Sequence, residues 1–305
     1  MPSLSKTTLA TLIGSAAIAM WSLLALMTAA SGAVPPFQLA AMTFAVGAAV
    51  GFAWVAATGR WRDLRQPFPV WALGIGGLFG YHALYFTALR NAPRVEAGLI
   101  AYLWPLLIVL FTALLPGERL RLHHIAGATL GLLGTALILA KGGGFAFDTT
   151  YALGYAAALG CAFTWAAYSV LSRRFRDVPT AIVAGFCLAT ALLAALAHGL
   201  VETTVWPVGA TQWLAVLGLG LMPVGVAFYV WDHGVKHGDI QTLGALSYLA
   251  PLLSTLILVA FGFGALTPRI ALAALLITGG AVLASRGMFG RRVRSQSEPQ
   301  RRIQP

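Results

Sequence analysis

A chain of 305 residues that is 59% hydrophobic, only 10% charged and has a mean hydropathy of +0.81 is built for lipid, because a soluble domain carries about 25% charged residues. Its net charge of +11 comes without a nucleic-acid motif or any interleaving of aromatic and basic residues, so the basic residues read as topology signals and nucleic acid is excluded as a partner. Cys161 and Cys187 fall inside apolar runs with neither metal spacing nor a disulfide framework, and no metal or cofactor is expected.

A membrane-crossing helix needs roughly 20 largely apolar residues. Between clusters of charge and turn residues, the sequence predicts ten such helices: 7–30, 36–58, 69–89, 95–115, 122–140, 151–172, 179–200, 210–233, 239–262 and 268–286. The first carries Trp21 and Ser22 near its middle, and its apolar run exceeds the roughly 7–15 residues of a signal-peptide core. It is therefore expected to stay in the mature chain. In the third, Tyr81, His82 and Tyr85 share one helical face. The fourth holds "AYLWP", with Ala101, Tyr102, Trp104 and Pro105. The fifth holds "GATLG", whose Gly127 and Gly131 form a small-residue face for docking another helix of the same chain. The sixth carries Trp165 and Tyr168, the eighth ends on Asp232 and His233, and the ninth holds Ser247, Tyr248 and Pro251. A basic tail follows.

Lys and Arg in the connecting loops set the orientation. With the N-terminus inside, sixteen of the 20 basic residues are cytoplasmic, leaving only Arg90, Arg94, Lys141 and Arg269 outside. Both termini are expected in the cytoplasm. The two halves of the chain also repeat. Tyr102 and Tyr248 stand 146 residues apart, as do Pro105 and Pro251, Gly98 and Gly244, and Gly134 and Gly280. Trp21 and Trp165 are 144 apart, as are Pro35 and Pro179. Five spans per half force the second half to enter the membrane in the opposite direction. The predicted fold is thus an all-α integral membrane protein with two inverted five-helix repeats, 1–145 and 146–288, and a tail at 289–305. Transporters use this plan to alternate access to a central site.

A proline cannot donate to the carbonyl four residues back. Pro105 and Pro251 should therefore free the carbonyls of Ala101 and Ser247 as acceptors for a group such as an ammonium; a packing kink satisfied by a neighbouring hydroxyl is the alternative. Interfacial belts place Trp and Tyr at span ends. Trp21, Tyr81, Tyr85, Tyr102, Trp104, Trp165, Tyr168 and Tyr248 stand inside spans, where a lipid-facing phenol would lose its hydrogen bonds. They are expected to wall a polar cavity, with Trp104, matched by Ala250 in the other half, selecting substrate. His82 reads either as a proton relay or as a hydrogen-bonded cavity residue, and Asp232 as a helix cap, an ion-pair partner or a coupling group. No span carries a buried Lys or Arg, which argues against phosphorylated cargo.

The stretches "EAGLIAYLWPLLIVLF", "WAAYSVLSRRF" and "YVWDHGVKHGDIQTLGALSYLAPLLS" resemble drug/metabolite transporters of the EamA type, and among these the aromatic amino acid exporters. The resemblance covers the chain up to its basic tail. Those exporters carry an amide where Asp232 stands, which implies hydrogen bonding there instead of proton transfer. The reading is a bacterial inner-membrane exporter of aromatic and other neutral amino acids, acting as a monomer among membrane lipids by alternating access. An exporter of lipophilic or quaternary cations is the alternative, since aromatic walls also suit cations. An intramembrane enzyme would need a nucleophile beside the mid-span histidine, and no such motif is present.

Overall fold

The structure, a computed structural model, describes residues 4–117, 119–140, 148–262 and 265–294. Lys141 and the tail beyond residue 294 lie outside the described residues. Those described are helical with no strand. Among the described residues nine helices are long and apolar enough to cross a membrane: α1 (Lys6–Ala30), α2 (Pro36–Thr58), α3 (Phe68–Asn91), α4 (Glu96–Leu114), α5 (Leu122–Leu139), α6 (Thr149–Phe175), α7 (Thr180–Val201), α8 (Gly209–His237) and α9 (Ile240–Ala260). The tenth expected span corresponds to α10 (Pro268–Arg294), whose apolar part among the described residues is Pro268–Ala284.

Five of these helices are interrupted, and each interruption has a local cause. In α4 the regular helix stops at Ala101 and restarts at Trp104, one residue before Pro105. In α9 it stops at Leu246 and restarts at Leu249, two residues before Pro251. The break in α1, between Trp21 and Leu24, has no proline. There the Ser22 hydroxyl donates to the Ala19 carbonyl at 2.6 Å, back-bonding of a kind that bends helices. Helices α3 and α8 each contain one widened π turn, at Gly76–Gly80 and Met222–Val226. Glycines weaken the first register and Pro223 removes a donor from the second. The two π turns sit 146 residues apart, a repeat that the sequence reading had passed over.

The main helix pairings join the first half of the chain to the second. Helix α5 lies along α10, α2 along α7, α1 along the last part of α8, the last part of α3 along α6, and the broken α4 against α9. Small residues let backbones meet at these crossings. A methyl on Gly127 would strike the Gly280 carbonyl and Ala284, and one on Gly131 would strike the Tyr248 ring, so the "GATLG" face docks within this chain as expected.

Polar contacts tie the bundle at both ends. At the end carrying the N-terminus, Arg173 donates to the carbonyls of Val235 and Gly238 at 3.0 and 2.8 Å, and the Asp239 N–H donates to the Thr11 hydroxyl at 2.8 Å. At the opposite end the buried Glu202 carboxylate accepts from the N–H groups of Phe37 and Gln38 at the start of α2. A carboxylate complements the positive end of the helix dipole. Glu202 also pairs with Arg90 and, at 3.0 Å, with His198.

Candidate substrate cavity

The interruptions surround a cavity of about 670 Å³. The break in α1 brings Trp21 to its wall, and the π turn of α3 is followed at once by Tyr81, His82, Tyr85 and Phe86. Helix α4 contributes Ala101, Tyr102 and Trp104 at its break, α6 contributes Trp165, and α8 contributes Phe228 just past its π turn. The cavity reaches from this aromatic level to Thr28, Val34 and Leu89, near the end opposite the N-terminus. Among the described residues no Asp, Glu, Lys or Arg lines it.

Three tryptophans, Trp21, Trp104 and Trp165, form its base and pack on a fourth, Trp231. Trp21 meets Trp104 edge-on at 6.1 Å between ring centroids and Trp231 at 5.0 Å, while Trp165 stacks on Trp231 at 6.2 Å. Trp231 is fully buried beneath the others, its indole N–H donating to the Ser169 hydroxyl at 3.1 Å. The Trp21 N–H is committed to the Pro223 carbonyl at 3.0 Å, an acceptor inside the π turn of α8. His82 sits among Phe44, Phe86 and Phe228. Its Nδ1 lies 2.7 Å from the Leu78 carbonyl, and a carbonyl only accepts, so the neutral ring carries its proton on Nδ1 and keeps Nε2 as an acceptor.

The cavity thus gathers Trp21, Tyr81, His82, Tyr85, Ala101, Tyr102, Trp104 and Trp165 from the residues singled out in the sequence. Tyr168, Ser247 and Tyr248 lie outside its wall. Tyr168 is buried with its ring laid over Gly77, in the space the π turn leaves. The Ser247 hydroxyl donates to the Leu243 carbonyl at 2.7 Å, and its own carbonyl, expected to be free, accepts from the Ala250 N–H at 3.1 Å. The fully buried Tyr248 accepts the Leu106 N–H at 3.2 Å, so a phenol from α9 caps the restarted helix of α4. The two kinks therefore differ: among the described residues no donor reaches the Ala101 carbonyl, whereas that of Ser247 is taken.

Asp232 proves to be an ion-pair partner. Its carboxylate lies 2.9 Å from the Lys236 ammonium and accepts from the Thr180 hydroxyl at 2.7 Å, with both charged groups buried. Lys236, expected in a loop, is a buried cation in the last turn of α8 that also donates to the Val178 carbonyl at 3.0 Å. The sequence reading missed Phe44, Phe86 and Phe228, and Phe44 stacks on Phe228 at 5.4 Å. A phenylalanine facing lipid and one facing a cavity look alike in sequence. Two signals were nonetheless present: Phe86 is four residues after His82, and Phe228 is 146 after it.

The model of the EamA-like transporter family matches residues 8–140 and again residues 152–286. The chain belongs to the EamA-like transporter family. A protein of Ancylobacter novellus named aromatic amino acid exporter YddG is 61% identical over 278 residues, covering 90% of this chain and 96% of that relative. A relative of the same name from Escherichia coli (strain K12) is 26% identical over 288 residues, with coverage of 90% and 96%. A solved crystal structure of a chain 60% identical in sequence superposes with a TM-score of 0.89, covering 94% of this chain and 99% of that one. Residues of this EamA-type chain that wall the cavity come from both matched segments.

Proposed function

We propose that this transporter exports aromatic and other neutral amino acids across a bacterial inner membrane by alternating access. The observation that carries the reading is an aromatic-walled cavity with no charged side chain, set at broken helices, in a chain most of whose length matches relatives named as aromatic amino acid exporters. Aromatic walls offer stacking to aromatic cargo. An uncharged wall favours cargo with no net charge, because a charge taken from water needs a partner. That same feature counts against the export of lipophilic cations, which call for a carboxylate in the wall.

The proposed architecture is ten spans in two inverted five-helix repeats, 1–145 and 146–288, followed by a basic cytoplasmic tail at 289–305. Both termini face the cytoplasm, and one chain suffices for transport. Pairing of helices between the halves and the π turns 146 residues apart support this plan. The cavity then opens to the outside, with the Arg173 and Asp232–Lys236 contacts closing the cytoplasmic end.

The test is uptake of labelled compounds into liposomes containing the purified protein, with and without an imposed proton gradient. Phenylalanine and tryptophan are expected to enter faster than threonine, and tetraphenylphosphonium is expected to stay at the rate of empty liposomes. Saturable uptake of the cation without uptake of amino acids would overturn the reading.

A further inference from the structure

The four tryptophans at and beneath the base of the cavity are not equivalent. The N–H groups of Trp21 and Trp231 are spent on the Pro223 carbonyl and the Ser169 hydroxyl. Trp104 and Trp165 both line the cavity and meet edge-on at 6.3 Å between centroids. Among the described residues no acceptor reaches either of their indole nitrogens, and neither nitrogen is fully enclosed by protein. An indole nitrogen can only donate, so two adjacent donors stand ready for an acceptor that the protein does not supply.

The complementary group lies at the same helix break. The Ala101 carbonyl, three residues before Trp104, has lost its helical donor to Pro105 and gains no other among the described residues. The cavity base therefore offers two donors and one acceptor within one helical turn of α4 and the facing turn of α6. The hydroxyls of Tyr81, Tyr85 and Tyr102 can serve as donor or acceptor and so fix neither polarity. With no charged side chain in the wall among the described residues, the site favours cargo whose charges cancel, and an α-amino acid achieves this with both groups on one carbon.

Building on the amino-acid reading above, we infer that Trp104 and Trp165 hold the cargo's α-carboxylate through their indole N–H groups, while the Ala101 carbonyl receives the α-ammonium. The two tryptophans are thus head-group residues as well as aromatic walls. Every amino acid carries this head group, which lets one cavity accept aromatic and small neutral cargo while the remaining rings set preference.

The test separates ring from donor. Trp104→Phe and Trp165→Phe keep an aromatic ring and remove the N–H. Binding is read as ligand-induced thermal stabilisation of the detergent-solubilised full-length protein, and as competition against labelled phenylalanine in liposomes. The probes are phenylalanine, 3-phenylpropanoate, which lacks the ammonium, and phenylalaninamide, which lacks the carboxylate. Each substitution is expected to weaken phenylalanine and 3-phenylpropanoate about tenfold, equivalent to about 1.4 kcal/mol, and phenylalaninamide less than twofold. Trp21→Phe, whose N–H is already committed, is expected to affect the three probes alike. Equal losses for phenylalanine and its amide in the Trp104 and Trp165 variants, or no loss for phenylalanine, would overturn the assignment. A wild-type protein that neither binds nor transports phenylalanine would instead remove the amino-acid reading, and this assignment with it.

Discussion

Trp104 and Ala250 occupy matching places in the two halves, and both face the cavity. One half fills the shared space with an indole and the other leaves it open, so the site is asymmetric at the position best placed to feel a cargo's side chain. Stacking between aromatic groups contributes roughly 0.5–1.5 kcal/mol beyond area burial, and a factor of ten takes about 1.4 kcal/mol. Trp104→Ala is expected to slow phenylalanine and tryptophan transport up to about tenfold more than threonine transport in the same vesicles. Equal losses would make Trp104 a packing residue or a head-group residue only. Asp232 poses a different problem, since removing one partner of a buried ion pair leaves the other charge unbalanced, at a cost of about 3–5 kcal/mol. Asp232→Asn is expected to lower the thermal unfolding midpoint strongly. The double change Asp232→Leu with Lys236→Met is expected to recover most of that loss, because both charges leave together. A single mutant as stable as wild type would mean that Lys236 finds other partners. The aromatic and histidine wall was largely legible in the sequence because amphipathic rings at mid-span depth have no stable place against lipid. Tyr168 and Tyr248 also avoid lipid, but by packing their rings on Gly77 and Gly131 inside the bundle, where the Tyr248 hydroxyl accepts the Leu106 N–H.

Broken helices do the positioning, and their causes differ in how plainly they are written. Pro105 and Pro251 announce two breaks. The break at Ser22 and the two π turns rest on a serine back-bond and on glycines, which also occur in straight membrane helices. The structure further separates the two prolines, which the sequence treats as equivalent. Pro105→Ala supplies an N–H to the Ala101 carbonyl and closes an acceptor in the cavity wall. Pro251→Ala supplies one to the Ser247 carbonyl, which the Ala250 N–H already occupies away from the cavity. Pro105→Ala is therefore expected to depress transport several-fold while leaving membrane insertion normal, and Pro251→Ala is expected to stay within about twofold of wild type. Rates measured in liposomes at matched protein content decide between them. Equal impairment would show that the kinks act through helix direction and not through the freed carbonyl.

At the scale of the molecule, the loops sort into two sets by which end of the bundle they occupy. Contacts link Arg173 to Gly238, Asp239 to Thr11 and Gln241 to the Arg119 carbonyl at the end carrying the N-terminus. Contacts of Glu202 link the start of α2 to Arg90 at the opposite end. The described basic residues in the loops and at the helix ends before residue 286 divide with them: Lys6, Arg60, Arg62, Arg65, Arg119, Arg121, Arg173, Arg174, Arg176 and Lys236 lie toward the first end, and Arg90, Arg94 and Arg269 toward the second. Most of the basic loop charge thus falls on one side of any membrane drawn across the nine long helices, and the proposed orientation follows the positive-inside bias in setting that side in the cytoplasm. On that proposed orientation the cavity opens outward. Reporter fusions after Arg176 and after Arg286 are expected to report the cytoplasm, and fusions after Arg90 and after Trp206 the outside. Fusion after Arg286 is the decisive one, because the even number of crossings depends on α10. An external signal there would leave nine crossings, place the two termini on opposite sides and remove the inverted repeat.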